Sequence, residues 1–152
     1  MSIEYINKYL RETEEIINKI DRQEIAKVIS LLRSTRRKHG RIFILGIGGS
    51  AANASHAVND FRKIAGIESY SPIDNVAELT AWTNDKGFEY IFVDWLKTSR
   101  LNKKDVVMIL SVGGGTESTS KNLVLAMRYA KEVKARIVSI VSRSGGEALK
   151  LS

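Results

Sequence analysis

Apolar residues at the start of the chain recur with a helical period. Ile3, Ile6, Leu10, Ile17 and Ile20 form a stripe that Tyr5, Tyr9 and Ile16 widen, which predicts an amphipathic helix over residues 3 to 20. Asp21 and Glu24 stand at capping-box spacing, with Asp in place of Ser or Thr, and open a second helix. That helix carries Ile25, Val28, Ile29 and Leu32 on one face, and Gly40 is read as its end. The pattern then changes from stripes to solid apolar runs at 42 to 45, 106 to 110 and 137 to 141, which predict strands buried on both faces. Helical patterns lie between them, over 50 to 64 with a break at Gly66, over 88 to 98 and over 119 to 133. The interval from 67 to 88 is more broken. It predicts a short strand within 67 to 73 ended by Pro72, then a helical stretch from Asp74 through Leu79 and Trp82. A turn follows at Asn84, Asp85, Lys86 and Gly87. A further helix starts at Glu147.

Each solid apolar run is followed by a Gly/Ser-rich loop and then a helix, three times in succession. This predicts an α/β fold: a parallel sheet flanked by helices in three layers, preceded by a helical hairpin suited to pairing with another subunit. All three loops then fall at the carboxyl ends of their strands, where open α/β sheets bind ligands. The first loop, Gly46-Ile47-Gly48-Gly49-Ser50, joins strand to helix. Its glycines allow a sharp turn and close backbone approach, and the helix start offers unpaired N–H groups and a positive dipole end. Ser50 adds a hydroxyl, as cap or as ligand contact. The loop lacks the lysine of a phosphate-binding Walker loop, and Ala51 stands where a dinucleotide fingerprint has its third glycine. On spacing alone, a phosphate site and a plain tight turn both remain open.

Composition narrows the class. The 152 residues suffice for one domain with a real core, and 43% hydrophobic with 27% charged residues is ordinary for a globular protein. Cysteine is absent, which excludes disulfides and thiolate metal sites. No apolar run spans a membrane and the N-terminus carries no apolar signal core, so a cytoplasmic protein with no membrane partner is expected. The net charge of +7 is concentrated before the strands, densest at Arg33, Arg36, Arg37, Lys38, His39 and Arg41. Basic residues at helix C-termini complement the dipole, and no aromatic residues interleave them as a stacking platform would need, so no nucleic-acid partner is expected.

Four segments together resemble one family. The run from Gly46 through Ser50 to His56 resembles the first loop of the sugar isomerase (SIS) domain, and more narrowly that of the phosphoheptose isomerases. Leu79-Thr80-Ala81-Trp82-Thr83-Asn84-Asp85 is similar to that family's Leu-Thr-Ala-x-x-Asn-Asp segment. Ser111-Val112-Gly113-Gly114-Gly115 through Ser118 resembles its second Ser/Gly loop, and Ser142-Arg143-Ser144-Gly145-Gly146 its Gly-Arg-Asp-Gly-Gly turn.

The resemblance implies a Rossmann-like or flavodoxin-like SIS domain over 1 to 152. Residues 1 to 40 would be helices for assembly into a homotetramer, and 41 to 152 the α/β core. It implies isomerisation of sedoheptulose 7-phosphate to a heptose 7-phosphate for ADP- or GDP-heptose and surface-glycan synthesis, such as lipopolysaccharide or capsule. The phosphosugar would be held by Gly48, Gly49, Ser50, Asn53, Ser111, Gly113, Thr116 and Ser118, with Asp85 matching an active-site aspartate. Asp60 falls at the catalytic glutamate, and His56 with Asp60 at a pair that binds zinc in some members. No cofactor is required on this reading, with zinc the one metal it allows.

The departures are specific. Ile47 replaces an asparagine, some phosphate-binding hydroxyls of the second loop are displaced, and Asp60 is one methylene shorter than the family's glutamate. The chain also stops at Ser152, before the family's C-terminal strand and helix with their glutamine and histidine. The expectation is an incomplete chain, or one that binds the phosphosugar and isomerises it poorly.

Without the resemblance, His56 and Asp60, four apart on a helix, read first as an ordinary intrahelical ion pair or hydrogen bond, with a metal pair or an acid/base pair as the functional alternative that the resemblance favours. Two ligands are too few for a structural zinc site. As a base, an ordinary aspartate is weak at neutral pH, and burial beside substrate would have to strengthen it. No Gly-x-Ser-x-Gly elbow is present and Ser50 and His56 stand on different turns, which argues against a hydrolase. Two function classes stay open: a phosphosugar isomerase, and a non-catalytic SIS module that binds a phosphosugar or a protein.

Overall fold

The computed structural model describes residues 2 to 152, which divide into two compact units, one ending at Leu31 and the other running from Leu32 to Ser152. The first unit is helical. Helix α1 (Ile3–Lys19) begins at Ser2, whose hydroxyl accepts the Tyr5 amide at 3.3 Å, and no residue along it is buried. Helix α2 (Arg22–Arg37) starts in the first unit and ends in the second. Asp21 Oδ1 accepts the amides of Gln23 and Glu24 at 2.8 and 3.3 Å, while the Glu24 carboxylate is taken by Lys27 Nζ at 2.5 Å. The forward half of the capping box is therefore made and the return half is replaced by an ion pair. The apolar stripe of Ile3, Ile6, Leu10, Ile17, Ile25 and Ile29 lies on the surface.

The second unit is built on a four-stranded parallel sheet of order β2-β1-β3-β4. Its strands are β1 (Ile42–Gly46), β2 (Ser69–Tyr70), β3 (Val106–Ser111) and β4 (Arg136–Val141). Ile42 is in register with Val106 and Gly46 with Leu110; Val106 is in register with Arg136 and Ser111 with Val141. Side chains alternate across the sheet. Phe43, Leu45, Val107 and Ile109 join one core with Ile91, Phe92, Trp95 and Leu96 of α5 (Ile91–Thr98) and Leu123, Val124, Met127 and Ala130 of α6 (Lys121–Glu132). Ile42, Ile44, Val106 and Met108 point the other way, and α3 (Gly49–Lys63) packs on β1 with Ala54 and Val58 buried. Helices therefore cover both faces of β1 and β3, as their continuous apolar runs require. Strand β4, expected to be buried on both faces, is instead an edge strand: only Val138 is buried and Ile140 is 61% exposed. Helices α4 (Val76–Lys86) and α7 (Gly146–Leu151) complete the unit.

Three local readings are corrected. The strand within 67 to 73 is only two residues long, because Pro72, with no N–H to give a ladder, opens a 3-10 turn over Pro72–Asp74. Asn84, Asp85 and Lys86 are not a turn but the last turn of α4. That helix starts when Asn75 Oδ1 accepts the Glu78 amide at 3.2 Å, and Gly87, at φ 99°, ends it. Gly40 does not supply the left-handed residue after α2. His39 does, at φ 53°, as Arg100 (52°) and Lys134 (61°) do after α5 and α6. Each is followed by an amide that reaches back over the last turn: Gly40 to the Thr35 carbonyl at 2.9 Å, Leu101 to Leu96 at 3.1 Å, Ala135 to Ala130 at 2.9 Å. Glycine is needed at 40 for a different reason: a Cβ there would collide with the Lys104 carbonyl. Among the described residues no helix is long and apolar enough to cross a membrane.

Candidate functional site

In the strand order β2-β1-β3-β4 the chain runs outward from β1 to β2 and then returns to β3. The carboxyl ends of β1 and β3 therefore flank the switch point, where loops diverge and leave a crevice. A cleft of about 540 Å³ lies there, lined by Ile47 and Ser50 from the β1 loop, Ser111, Gly113, Thr116 and Ser120 from the β3 loop, and Arg143 from the β4 loop.

The β1 loop turns sharply and leaves open space beside its glycines. Gly48 sits at φ 61° and ψ −126°, a conformation for glycine alone, and nothing lies within 4 Å of where a Cβ would stand on Gly48 or Gly49. Gly48 caps α3 without a side-chain bond, and its carbonyl accepts the Ala51 amide at 2.9 Å. The amides of Ser50 and Ala52 are likewise taken, by the carbonyls of Ile47 and Gly48 at 3.2 and 3.3 Å, so what α3 offers the cleft is the Ser50 hydroxyl at the positive end of a 15-residue helix.

The β3 loop holds itself. Ser111 Oγ accepts the Gly114 amide at 3.0 Å, and Thr116 Oγ1 accepts the amides of Ser118 and Thr119 at 3.3 and 3.0 Å. Ser120, at φ 55°, turns the chain into α6 and makes no side-chain capping bond. It lines both this cleft and an adjoining one of about 330 Å³ formed with Ile47, Ser118, Glu89 and Lys121. Lys121 Nζ is already paired with Glu89 at 3.2 Å.

The β4 loop is fastened onto the β3 loop. Ser142 donates its amide and its hydroxyl to the Val112 carbonyl, at 3.2 and 3.0 Å. The amides of Glu147 and Ala148 donate to the carbonyls of Gly115 and Gly114, at 2.9 and 3.0 Å. A Cβ on Gly114 or Gly146 would collide with the opposite backbone. The third Gly-rich loop is thus a docking surface between two loops, and the start of α7 is used up by protein carbonyls.

Ser50, Ser111, Gly113 and Thr116 therefore meet in one cleft, with Gly48 and Gly49 at its β1 edge. Ser118 lies in the adjoining one. Asn53 lines a shallower pocket with Ser50 and Ser111. Asp85, His56 and Asp60 line none of these pockets. Asp85 is exposed, beside Asn84 Nδ2 at 3.0 Å. Asp60 stands ten residues beyond Ser50 on α3, about 15 Å along the axis. Asn53, His56 and Asp60 recur at helical spacing on one face, so a polar stripe leads from the cleft to that carboxylate. His56 Nε2 lies 3.3 Å from Asp60 Oδ2, with the side chains 77% and 48% exposed. The burial that a strengthened base requires is not supplied by this chain alone. The pair also falls short of a zinc site: catalytic zinc takes three protein ligands, and no group of three or more His, Cys, Asp or Glu is placed to hold a metal among the described residues.

Sequence reasoning missed Ser120 and Arg143. Ser120 was legible only as one serine of a polar run. Arg143 was legible as the basic residue of the third loop, but the fastening of that loop to Val112 is a long-range fact.

The comparisons with known proteins agree with this architecture. Residues 4–142 match the family model described as SIS domain. The chain is similar to phosphoheptose isomerase 1 of Campylobacter jejuni, 31% identical over 98% of this chain and 81% of that protein. It is similar to phosphoheptose isomerase of Helicobacter pylori, 32% identical over 86% of this chain and 68% of the relative. The structure of the Neisseria gonorrhoeae phosphoheptose isomerase superposes with a TM-score of 0.85 at 23% identity, covering 97% of this chain and 79% of that one, a likeness of fold. With the model match spanning the sheet and both Gly/Ser loops of the cleft, the chain belongs to the SIS domain family.

Proposed function

We propose that this protein is a sedoheptulose 7-phosphate isomerase, making a heptose 7-phosphate for nucleotide-activated heptose and surface-glycan synthesis in the cytoplasm. The observation that carries the reading is the cleft at the β1/β3 switch point. It joins the positive end of α3 to the hydroxyls of Ser50, Ser111 and Ser120 in a chain whose relatives bear that enzyme name. Phosphate would bind there, with Gly48, Gly49, Gly113, Thr116 and Ser118 shaping the walls, and the sugar would extend along α3 past Asn53.

Aldose–ketose isomerisation moves a proton between adjacent carbons through an enediol, which needs a base at the carbon end. Asp60 is the proposed base, held by His56, with Asp85 at the substrate's flank. Since Asp60 is exposed here, the reading requires that assembly cover it, and the surface apolar stripe of α1 and α2 is the proposed means, in a homotetramer. No cofactor is required; any zinc would need a third ligand beyond His56 and Asp60.

A coupled assay with sedoheptulose 7-phosphate tests the activity, and its expected result is turnover to the aldose phosphate. The exposure of Asp60 and its distance from the cleft favour one second reading, a phosphosugar-binding module without catalysis. Binding of sedoheptulose 7-phosphate with no turnover by the assembled protein would select it. Light scattering tests the tetramer: Ile6→Asp with Leu10→Asp should dissociate it, and a monomeric wild-type protein at micromolar concentration would refute it.

A further inference from the structure

We infer that Arg143 is the phosphate-recognising cation of the cleft, the residue that makes it select a phosphorylated sugar over a neutral one. This rests on the reading of the cleft as a phosphosugar site and deepens it. Among the described residues, five that are not glycine have positive φ: His39, Arg100, Ser120, Lys134 and Arg143. Three of these end helices α2, α5 and α6, which accounts for their conformation. The remaining two, Ser120 and Arg143, both line the 540 Å³ cleft. A left-handed backbone at a long side chain costs free energy and persists where surroundings impose it. Here Ser142 imposes it from one side, by its two bonds to the Val112 carbonyl, and Gly145 from the other, packed against Gly114.

Charge points the same way. Arg143 is the one cationic side chain lining this cleft, and no carboxylate lines it. Its guanidinium makes no ion pair or hydrogen bond with another described residue, whereas Lys121 next door is neutralised by Glu89. A planar, always charged fork in a cleft lined by serine and threonine hydroxyls matches a phosphate dianion, which such a fork grips in bidentate fashion. Amides and hydroxyls alone accept phosphate or a neutral hydroxyl; an unpaired guanidinium separates the two.

The test compares wild type, Arg143→Gln and Arg143→Lys by calorimetric titration with sedoheptulose 7-phosphate, unphosphorylated sedoheptulose and inorganic phosphate. Arg143 is exposed, so the melting temperatures of all three should agree. Arg143→Gln should weaken sedoheptulose 7-phosphate about fivefold or more, leave the neutral sugar unchanged, and flatten the salt dependence; Arg143→Lys should recover part of the loss. A loss smaller than fivefold, or an equal loss for the neutral sugar, overturns the assignment. If inorganic phosphate binds in an Arg143-dependent way and sedoheptulose 7-phosphate does not, the cation role stands and the substrate reading falls. If wild type binds neither, both fall.

Discussion

The two ends of the sheet use the same kinds of residue to opposite effect. At the amino end, Asp105 is 2% exposed and its two oxygens take five donors. These are the amide, Nε and a terminal nitrogen of Arg41, and the amide and side-chain nitrogen of Asn102. The other guanidinium donors of Arg41 reach the carbonyls of Ser99 and Arg100 at 3.0 and 3.1 Å. Asp105 thereby holds the Arg41 guanidinium above its usual range. At the carboxyl end a glycine turn brings the start of α3 to a cleft, serines keep hydroxyl capacity and an arginine has no partner among the described residues. Glycine at 40 serves contact with Lys104; glycine at 48 serves open space. What separates a brace from a site is whether donors are already satisfied within the chain.

Removing the brace should have the largest effect. Asp105→Ala leaves Arg41 and the Asn102 amide without their buried acceptor, and should lower unfolding stability by about 3–5 kcal/mol. Urea denaturation measures this. A loss under about 1 kcal/mol would show that the amino end is not held by this carboxylate. Phosphosugar affinity of the fraction that remains folded should not change, because the two ends share no residue.

Asp94 sharpens the comparison as an intermediate case. It bridges Lys86 of α4 at 3.0 Å and Lys97 of its own helix at 3.3 Å, with both lysines half exposed. Burial alone would raise its carboxyl, but the two lysine hydrogen bonds outweigh it and hold the group below its usual range. A carboxylate depressed in the folded state gives stability that is full above its unfolded value, about 3.9, and is lost as pH falls through the lower folded value. Asp94→Asn should therefore cost about 1–2 kcal/mol at pH 7, discounted for the exposed lysines. The deficit should shrink below about pH 4. A deficit independent of pH would place the cost in packing instead.

Asp60→Asn tests whether the polar stripe of α3 belongs to the open end. If the proposed assembly forms, the substitution should reduce turnover by at least about tenfold while leaving phosphosugar affinity unchanged, since the proposed phosphate site lies about 15 Å away along α3. Unchanged turnover would remove Asp60 from the chemistry.

How much of this was legible in the sequence follows from the range of each interaction. Strands β1 and β3 were legible because burial on both faces leaves a solid apolar run; β4 carries a similar run but lies at the sheet edge, with only Val138 buried. The Ser50 and Ser111 loops were legible because the strand, glycine and helix stand adjacent in sequence. The end of α2 was misplaced at Gly40 because His39 takes the conformation expected of glycine, whereas the ends of α5 and α6 were read within one residue. Asn84 to Lys86 looked like a turn by composition, but the Asn75 cap upstream carries α4 through them. Asp60 was paired with His56 correctly by spacing, yet spacing says nothing of its distance from the cleft. The placing of Arg143 depends on the bond from Ser142 to Val112, thirty residues earlier, and no local pattern contains that bond.

Ser50→Ala is the mildest and most discriminating change at the open end. Its amide donates to the Ile47 carbonyl at 3.2 Å, so the backbone of the turn does not depend on its hydroxyl. No protein acceptor or donor uses that hydroxyl among the hydrogen bonds of the described residues, whereas Ser111 and Thr116 brace their own loop. Alanine is also a better helix former at the first turn of α3. Stability should therefore be unchanged or slightly raised, while phosphosugar affinity falls by the value of one hydrogen bond to a charged group, about 1.5 kcal/mol or tenfold. Ser111→Ala should instead lower both affinity and stability, because it releases the Gly114 amide. Equal stability losses in the two variants would mean that Ser50 is also a brace, and that the open end is less open than its geometry implies.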